Sequence, residues 1–431
     1  MQHRQRWKFL LAVLLVLSLI LAACGSAGKS DSGSQASSGS GSSGSSGTGS
    51  GSNSGTASSS GGSKNAQGVT DTEILIGNWQ TLSGPSANLG TTTIKGVEAY
   101  FKYINDQGGV NGRKLKLVNY DDEYQPSKTV SVVKKLIEED KVFALSSVGC
   151  TSCTIAALPH VIESGIPLVG ITSGADNFVN PVIPNVFGLI TNYRIEGKIF
   201  ARFAVEQLNG ERIAIFYQND DFGKSGYSAA LEELEKYNIS PVAEVPYNAT
   251  DVDFSSPALK IKEANPDVIL SFSIPKQTAA VKMELAKLGV NVPFVVAGVA
   301  GSDNNMFSLA GDAWTNIYSS NWMKLYDNNE KVQKYVSFMQ EHYPDVDPYG
   351  LAAYGWGISE VLVEGIRRAG DDLSWENFIR QLETLKDWDG GISLNVTYTP
   401  DSHYGTTSLI MIKDENGKLV QASDELKYDQ E

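Results

Sequence analysis

The stretch Glu73-Ile74-Leu75-Ile76-Gly77, followed by Ile94, Val97, Phe101 and Ile104, then Gly108-Gly109, then Leu115 and Leu117, decides the fold. The first segment is a short apolar run and reads as a buried strand. The next four apolar positions recur every three or four residues, which marks one face of a helix, and the glycine pair stops it. Leu115 and Leu117 alternate with lysines, as a second strand requires. A strand, a helix and a strand in that order form the unit of a parallel sheet.

The unit repeats down the chain. Val130, Val133, Leu136 and Ile137 mark a helix that Pro126 opens. Strands are expected at 142–148 and 166–171, with a helix at 154–163 between them. The pattern then restarts, with strands at 212–217, 242–245, 267–272 and 293–297 and helices at 223–237, 256–264 and 277–288. Helices at about 328–342, 350–369 and 374–386 follow. The end carries strands at 392–398, 407–413 and 419–421, the last two joined by the Asn416-Gly417 hairpin turn. Two successive α/β runs predict an α/β protein of two Rossmann-like lobes, each a parallel sheet with helices on both faces.

The amino terminus says where this domain works. His3, Arg4, Arg6 and Lys8 precede an apolar run from Phe9 to Ala23, and Leu21-Ala22-Ala23-Cys24 closes it. The run is shorter than the ~20 residues that span a bilayer, so residues 1–24 read as a cleaved export signal. The Leu-Ala-Ala-Cys ending resembles a bacterial lipobox, which implies lipid on the Cys24 sulfur. Residues 25–68 are nearly all Ser, Gly, Thr and Ala, with no aromatic or branched apolar side chain. Such a segment buries too little surface to offset its ordering entropy and reads as a disordered tether.

The chain of 431 residues has a formal net charge of −14, and loss of the signal removes three more basic residues. An acidic chain argues against nucleic acid as a partner. After the signal, three cysteines are used sparingly: Cys24 for lipid, and Cys150 and Cys153 as a disulfide or two buried thiols in Cys-Thr-Ser-Cys. His160, His342 and His403 show no ligand spacing, so no metal is expected. No glycine-rich nucleotide loop and no nucleophile elbow is present. No catalytic residue and no cofactor is therefore expected, and the chain reads as a non-enzyme.

In open α/β sheets ligands sit beyond the carboxyl ends of the strands, so the loops there carry the function. After the first strand come Ser83-Gly84-Pro85 and Leu89-Gly90. After the strand ending at Val148 comes Gly149-Cys150-Thr151-Ser152-Cys153, whose amides and hydroxyls at a helix start suit a carboxylate. After Ile171 comes Thr172-Ser173-Gly174, also small and polar.

Several of these stretches resemble a known family. Ser83-Gly84-Pro85, Lys95-Gly96-Val97-Glu98-Ala99, the run from Ile104 through Gly112 to Leu115, Tyr120-Asp121-Asp122, and Asn219-Asp220-Asp221-Phe222-Gly223-Lys224-Ser225-Gly226 are similar to branched-chain amino acid ABC transporter solute-binding proteins. This is the leucine/isoleucine/valine-binding group with the type I periplasmic-binding-protein fold. The resemblance implies lobe 1 at 69–191 plus 321–397, lobe 2 at 192–320 plus 398–431, and three crossovers as hinge. It also implies a ligand site at Leu89, Cys150, Thr151, Ser152, Thr172, Ser173, Gly174, Phe222, Ser273, Ile274, Val299 and Tyr349.

One departure from that family matters. Its amino acid binders hold the ligand ammonium with an acid in lobe 2, but the matching loop here, Gly298-Val299-Ala300-Gly301-Ser302, offers none before Asp303. Either Asp303 reaches in, or the ligand is an amide, urea or carboxylic acid without an ammonium. The implied function is a monomeric, lipid-anchored extracytoplasmic receptor that passes a small solute to ABC permease subunits. The alternatives are a sensor for a separate membrane partner and an exported enzyme.

Overall fold

The computed structural model describes residues 65–84, 86–327 and 329–428. The expected signal at 1–24, the expected lipid site Cys24, residues 25–64 of the expected tether and Pro85 lie outside the described residues. In chain order the first elements are β1 (Glu73–Gln80), α1 (Ala87–Asp106), β2 (Lys114–Asp121), α2 (Pro126–Lys134), β3 (Ala144–Val148), α3 (Thr151–Ser164), β4 (Leu168–Ile171) and β5 (Val186–Phe187). They are followed by α4 (Tyr193–Glu206), β6 (Ile213–Gln218), α5 (Asp221–Lys236), β7 (Ala243–Tyr247), α6 (Ser255–Ala264), β8 (Val268–Phe272), α7 (Pro275–Lys287), β9 (Phe294–Val296), α8 (Gly298–Gly301), α9 (Asn305–Ala310) and β10 (Ile317–Asn321). The chain closes with α10 (Glu330–His342), α11 (Leu351–Ala369), α12 (Trp375–Leu382), β11 (Thr397–Thr399), β12 (Ser402–Gly405), β13 (Ser408–Glu415) and β14 (Lys418–Lys427).

Two sheets result. The first has the order β2-β1-β3-β4-β5 and is parallel throughout. The second has the order β14-β13-β10-β9-β8-β6-β7, with β6 to β10 parallel and β13 and β14 antiparallel at one edge. Every residue of β3, β8 and β9 is buried, as expected of strands covered by helices on both faces. The chain passes between the sheets three times, after β5, after β10 and after β12.

The last helices return to the first sheet. The Trp356 ring on α11 packs edge-on against Tyr100 on α1 with centroids 4.9 Å apart, and the Trp375 indole N–H donates to the Phe143 carbonyl at 2.7 Å. The first lobe is therefore assembled from chain segments far apart in sequence.

The structure differs from the sequence expectation at three places. Residues 65–68, expected in a disordered tether, are held on the fold: the Gln67 side-chain amide donates to the carbonyls of Ile137 at 3.2 Å and Val142 at 3.0 Å, and the Ala66 N–H donates to the Leu373 carbonyl at 2.9 Å. Composition is blind to such distant backbone acceptors. The strand expected at 392–398 is reduced to β11 and isolated bridges at Ser393 and Val396. Finally, residues 398–407, expected with lobe 2, pack on the first sheet. The Gly188 N–H donates to the His403 carbonyl at 2.9 Å, and the His403 ring stacks on Phe187 at 3.9 Å.

Candidate functional site: a cavity between the two sheets

The carboxyl ends of β1, β3, β4, β6, β8 and β9 point their loops toward one another. Between them lies a cavity of about 40 Å³. Leu89, Cys150, Thr151, Thr172, Phe222, Ile274 and Val299 line it, so seven of the expected site residues converge from both sheets.

The other five lie elsewhere. Ser173 stands one layer back, with its hydroxyl 2.8 Å from that of Thr151. Gly174 is backbone support: a Cβ there would lie 2.4 Å from the Thr191 carbonyl oxygen. Ser152 turns toward the second lobe and donates to Asp220 Oδ2 at 3.3 Å. Ser273 is sequestered between Ser271 and Thr278, at 2.6 Å and 2.5 Å. Tyr349 lines a separate cavity, with its ring stacked on Tyr326 at 6.1 Å between centroids. Each of the five sits at or near a strand or helix end, where the direction of one side chain depends on the local turn.

The cavity also takes in Gln80, Thr81, Thr93, Tyr124, Tyr193, Leu351 and Tyr354. Gln80 ends β1 and Thr81 follows it directly, so both stand at a strand end. Tyr193 and Tyr354 come from the first turns of α4 and α11, and only the packing of those helices brings them in. Tyr124 is placed by Asp122, whose Oδ1 accepts from the Tyr124 N–H and the Thr81 hydroxyl, both at 2.9 Å. Burial pushes the Asp122 carboxyl up from its ordinary value, and the three donors around it, Thr129 among them, oppose that.

The turn before α3 is held by Cys150, which has φ 61° and is joined to Cys153 by a disulfide. Cys150, Cys153 and Asp122 place ligand-type atoms within 4.8 Å of one another. Both sulfurs are consumed in the disulfide, so this is not a thiolate metal set. The disulfide closes a ring around Thr151 and Ser152. It thereby fixes the first amides of the 14-residue helix α3 at the cavity wall, where the helix end favours an anion.

Several hydrogen bonds cross between the lobes beside this wall. Besides Ser152 and Asp220, the Gln218 amide donates to the Tyr124 hydroxyl at 3.1 Å and to Asp220 Oδ2 at 2.6 Å. Asp220 Oδ1 also caps α5 through the N–H groups of Phe222 and Gly223. Replacing Asp220 with alanine is expected to cost about 1 kcal/mol through the lost cap. It is also expected to shift the lobes apart, read as a larger radius of gyration in X-ray scattering. An unchanged radius would show that these bonds do not hold the closed arrangement.

Among the described residues no charged side chain lines the cavity. Asp303 does not reach it: its Oδ1 accepts from the Asn305 N–H at 3.0 Å, and its neighbour in charge is Asp347. The loop Gly298–Gly301 is the short helix α8, and only its Val299 touches the cavity.

Two covered α/β lobes, three crossovers and a cavity at the facing strand ends define a two-lobed binding protein. The chain belongs to the periplasmic binding protein family, whose sequence profile matches residues 73–418. It is 24% identical over 338 residues to an amino acid binding protein of Pseudomonas aeruginosa, covering 75% of this chain and 88% of the relative. Its fold superposes on a substrate-binding periplasmic protein from Ralstonia solanacearum with a TM-score of 0.76 and 25% identity, over 81% of this chain and all of the other. It also superposes on a fatty acid ABC transporter substrate-binding protein from Thermomonospora curvata with a TM-score of 0.78 and 19% identity, over 85% and 96% of the two chains.

Proposed function

We propose that this protein is an extracytoplasmic receptor that captures a small carboxylate-bearing solute with an apolar body and delivers it to an ABC permease. The observation that carries this reading is the cavity itself. Its wall combines the amino end of α3 and the Thr172 hydroxyl with the apolar side chains of Leu89, Phe222, Ile274, Val299 and Leu351, drawn from both lobes. A solute touching both lobes binds the closed form better than the open one and so shifts the population toward closure. The amino acid binding relative in Pseudomonas aeruginosa and the family membership support the transport role. The Leu-Ala-Ala-Cys24 ending and the Ser/Gly-rich segment behind it support a lipid anchor and a tether, with the protein acting as a monomer.

Saturating ligand is expected to raise the melting temperature and to reduce the radius of gyration. A screen of the purified protein against amino acids, amides, urea and small carboxylic acids, read by thermal shift and then by X-ray scattering, tests both. A solute that stabilises without compaction would count against closure around the ligand. A complete absence of shifts would sink the receptor reading.

A further inference from the structure

The disulfide at the cavity wall is placed for chemistry as well as for support. Cys150 is half-buried and borders the cavity, whereas Cys153 is wholly buried. A solute in the cavity therefore meets one sulfur of the pair. Cys150 is also the cap of the 14-residue helix α3, and its sulfur accepts from the Cys153 N–H at 3.3 Å. Two cysteines separated by two residues at the amino end of a helix favour the thiolate, through the helix dipole and the free amides there.

A third group completes the arrangement. Asp122 is wholly buried just after β2, and a carboxylate oxygen of it lies within 4.8 Å of both sulfurs. Donors from Thr81, Tyr124 and Thr129 hold it there. Burial pushes its carboxyl up from its ordinary value, which suits it to carry a proton beside the sulfurs. As a staple, by contrast, the disulfide contributes little. It joins residues three apart, and a ring that short constrains the unfolded chain least. The same turn is held without it: the Thr154 N–H donates to the Cys150 carbonyl at 2.9 Å, and the Thr154 hydroxyl donates to the Gly149 carbonyl at 3.0 Å.

We infer that Cys150–Cys153 is a thiol-exchange centre opening on the cavity, where a small carboxylate-bearing thiol is captured as a mixed disulfide on Cys150. The amino end of α3 receives the carboxylate. The incoming sulfur bonds to Cys150 Sγ, and the Cys150–Cys153 bond breaks. The proton of the incoming thiol passes by way of Asp122 to the departing Cys153 sulfur. The thiol is thereby oxidised and Cys153 reduced, and no further reactant is needed. A second thiol molecule attacking the adduct releases the small disulfide and leaves both cysteines reduced. The exchange shares only the cavity with the receptor reading and stands whichever solute is transported.

The test uses the full chain, purified in detergent with its disulfide intact. It is treated with mercaptoacetate or with glutathione, both folded and in urea, and quenched with iodoacetamide. Peptide mapping by mass spectrometry then locates the adduct. In the folded chain mercaptoacetate is expected on Cys150 and iodoacetamide on Cys153, at a rate within about 10-fold of that in urea. Glutathione, too large for a cavity of about 40 Å³, is expected to react about 100-fold more slowly in the folded chain than in urea. A folded disulfide that resists both thiols is a buried staple and overturns the inference. So does an adduct on Cys153, or equal slowing of both thiols by folding. Asp122→Asn is expected to slow capture of mercaptoacetate about 100-fold while the folded chain still excludes glutathione. An unchanged rate, or loss of that exclusion, overturns the proton route, and the wild-type comparison decides the exchange itself without any variant.

Discussion

Replacing Gly96 with alanine is expected to destabilise the protein by about 3 kcal/mol, despite the better helix propensity of alanine. Gly96 lies in the middle of α1, where α11 crosses it. A Cβ at this position would lie 1.8 Å from the Ala352 carbonyl oxygen and 2.9 Å from the Trp356 nitrogen, both on α11. The contact is reciprocal: a Cβ at Gly355 on α11 would lie 2.1 Å from the Thr93 carbonyl oxygen on α1. Backbone cannot move aside as a flexible side chain can, so the helices must separate and the aromatic packing of Tyr100 against Trp356 must loosen. Urea unfolding of the variant measures the cost. A loss below about 0.5 kcal/mol would show that the helices part freely, which the tight interior makes untenable. The crossing matters for function because α1 leads from the Leu89 wall of the cavity and α11 carries Leu351 and Tyr354.

Asp303→Asn is expected to stabilise the protein near neutral pH by about 3 kcal/mol. Burial pushes the Asp303 carboxyl from its ordinary 3.8 up to about 6, with the neighbouring Asp347 charge adding to the effect. Its Oδ2 has no partner among the described residues. Because the folded-state value is raised, the folded state holds the proton where the unfolded state has lost it. Stability from this group is complete below pH 3.8, falls as the pH rises toward 6, and stays low above that. The asparagine variant lacks the titration, so its advantage should appear across that window and level off beyond it. Unfolding curves at pH 4, 5, 6 and 7 check this on an approximate scale. Equal slopes with pH for both proteins would show that Asp303 titrates normally. The variant also bears on specificity, since solute binding should be indifferent to a residue that lies outside the cavity.

Much of the architecture was legible before any coordinates. Apolar runs of four to seven residues can satisfy their backbone only in a covered sheet, and helical periodicity between them leaves little but a two-lobed α/β chain. The Asn416-Gly417 turn called the final hairpin correctly, because a type I′ turn is a local property of two residues. The loops at Leu89, Cys150 to Thr151 and Thr172 were identifiable for a similar reason, since ligands in such sheets meet strand ends, whereas Phe222, Ile274 and Val299 were implied by the family resemblance; all of them line the cavity.

The sequence by itself thus determined the α/β class, the two runs of alternating elements and the strand-end loops from which a site is built, because period, turn chemistry and short-range spacing are local. Tertiary structure alone decided which side chains meet. It turned Ser152 to Asp220, shut Ser273 away, and gave Tyr349 to another cavity. It also drew in Tyr193 and Tyr354 from helices that start after crossovers, and set Glu196 against Gly298, 102 residues away in the chain. The direction of a side chain at a strand end, and the partner of a buried acid, depend on how distant segments pack, and no local pattern encodes that.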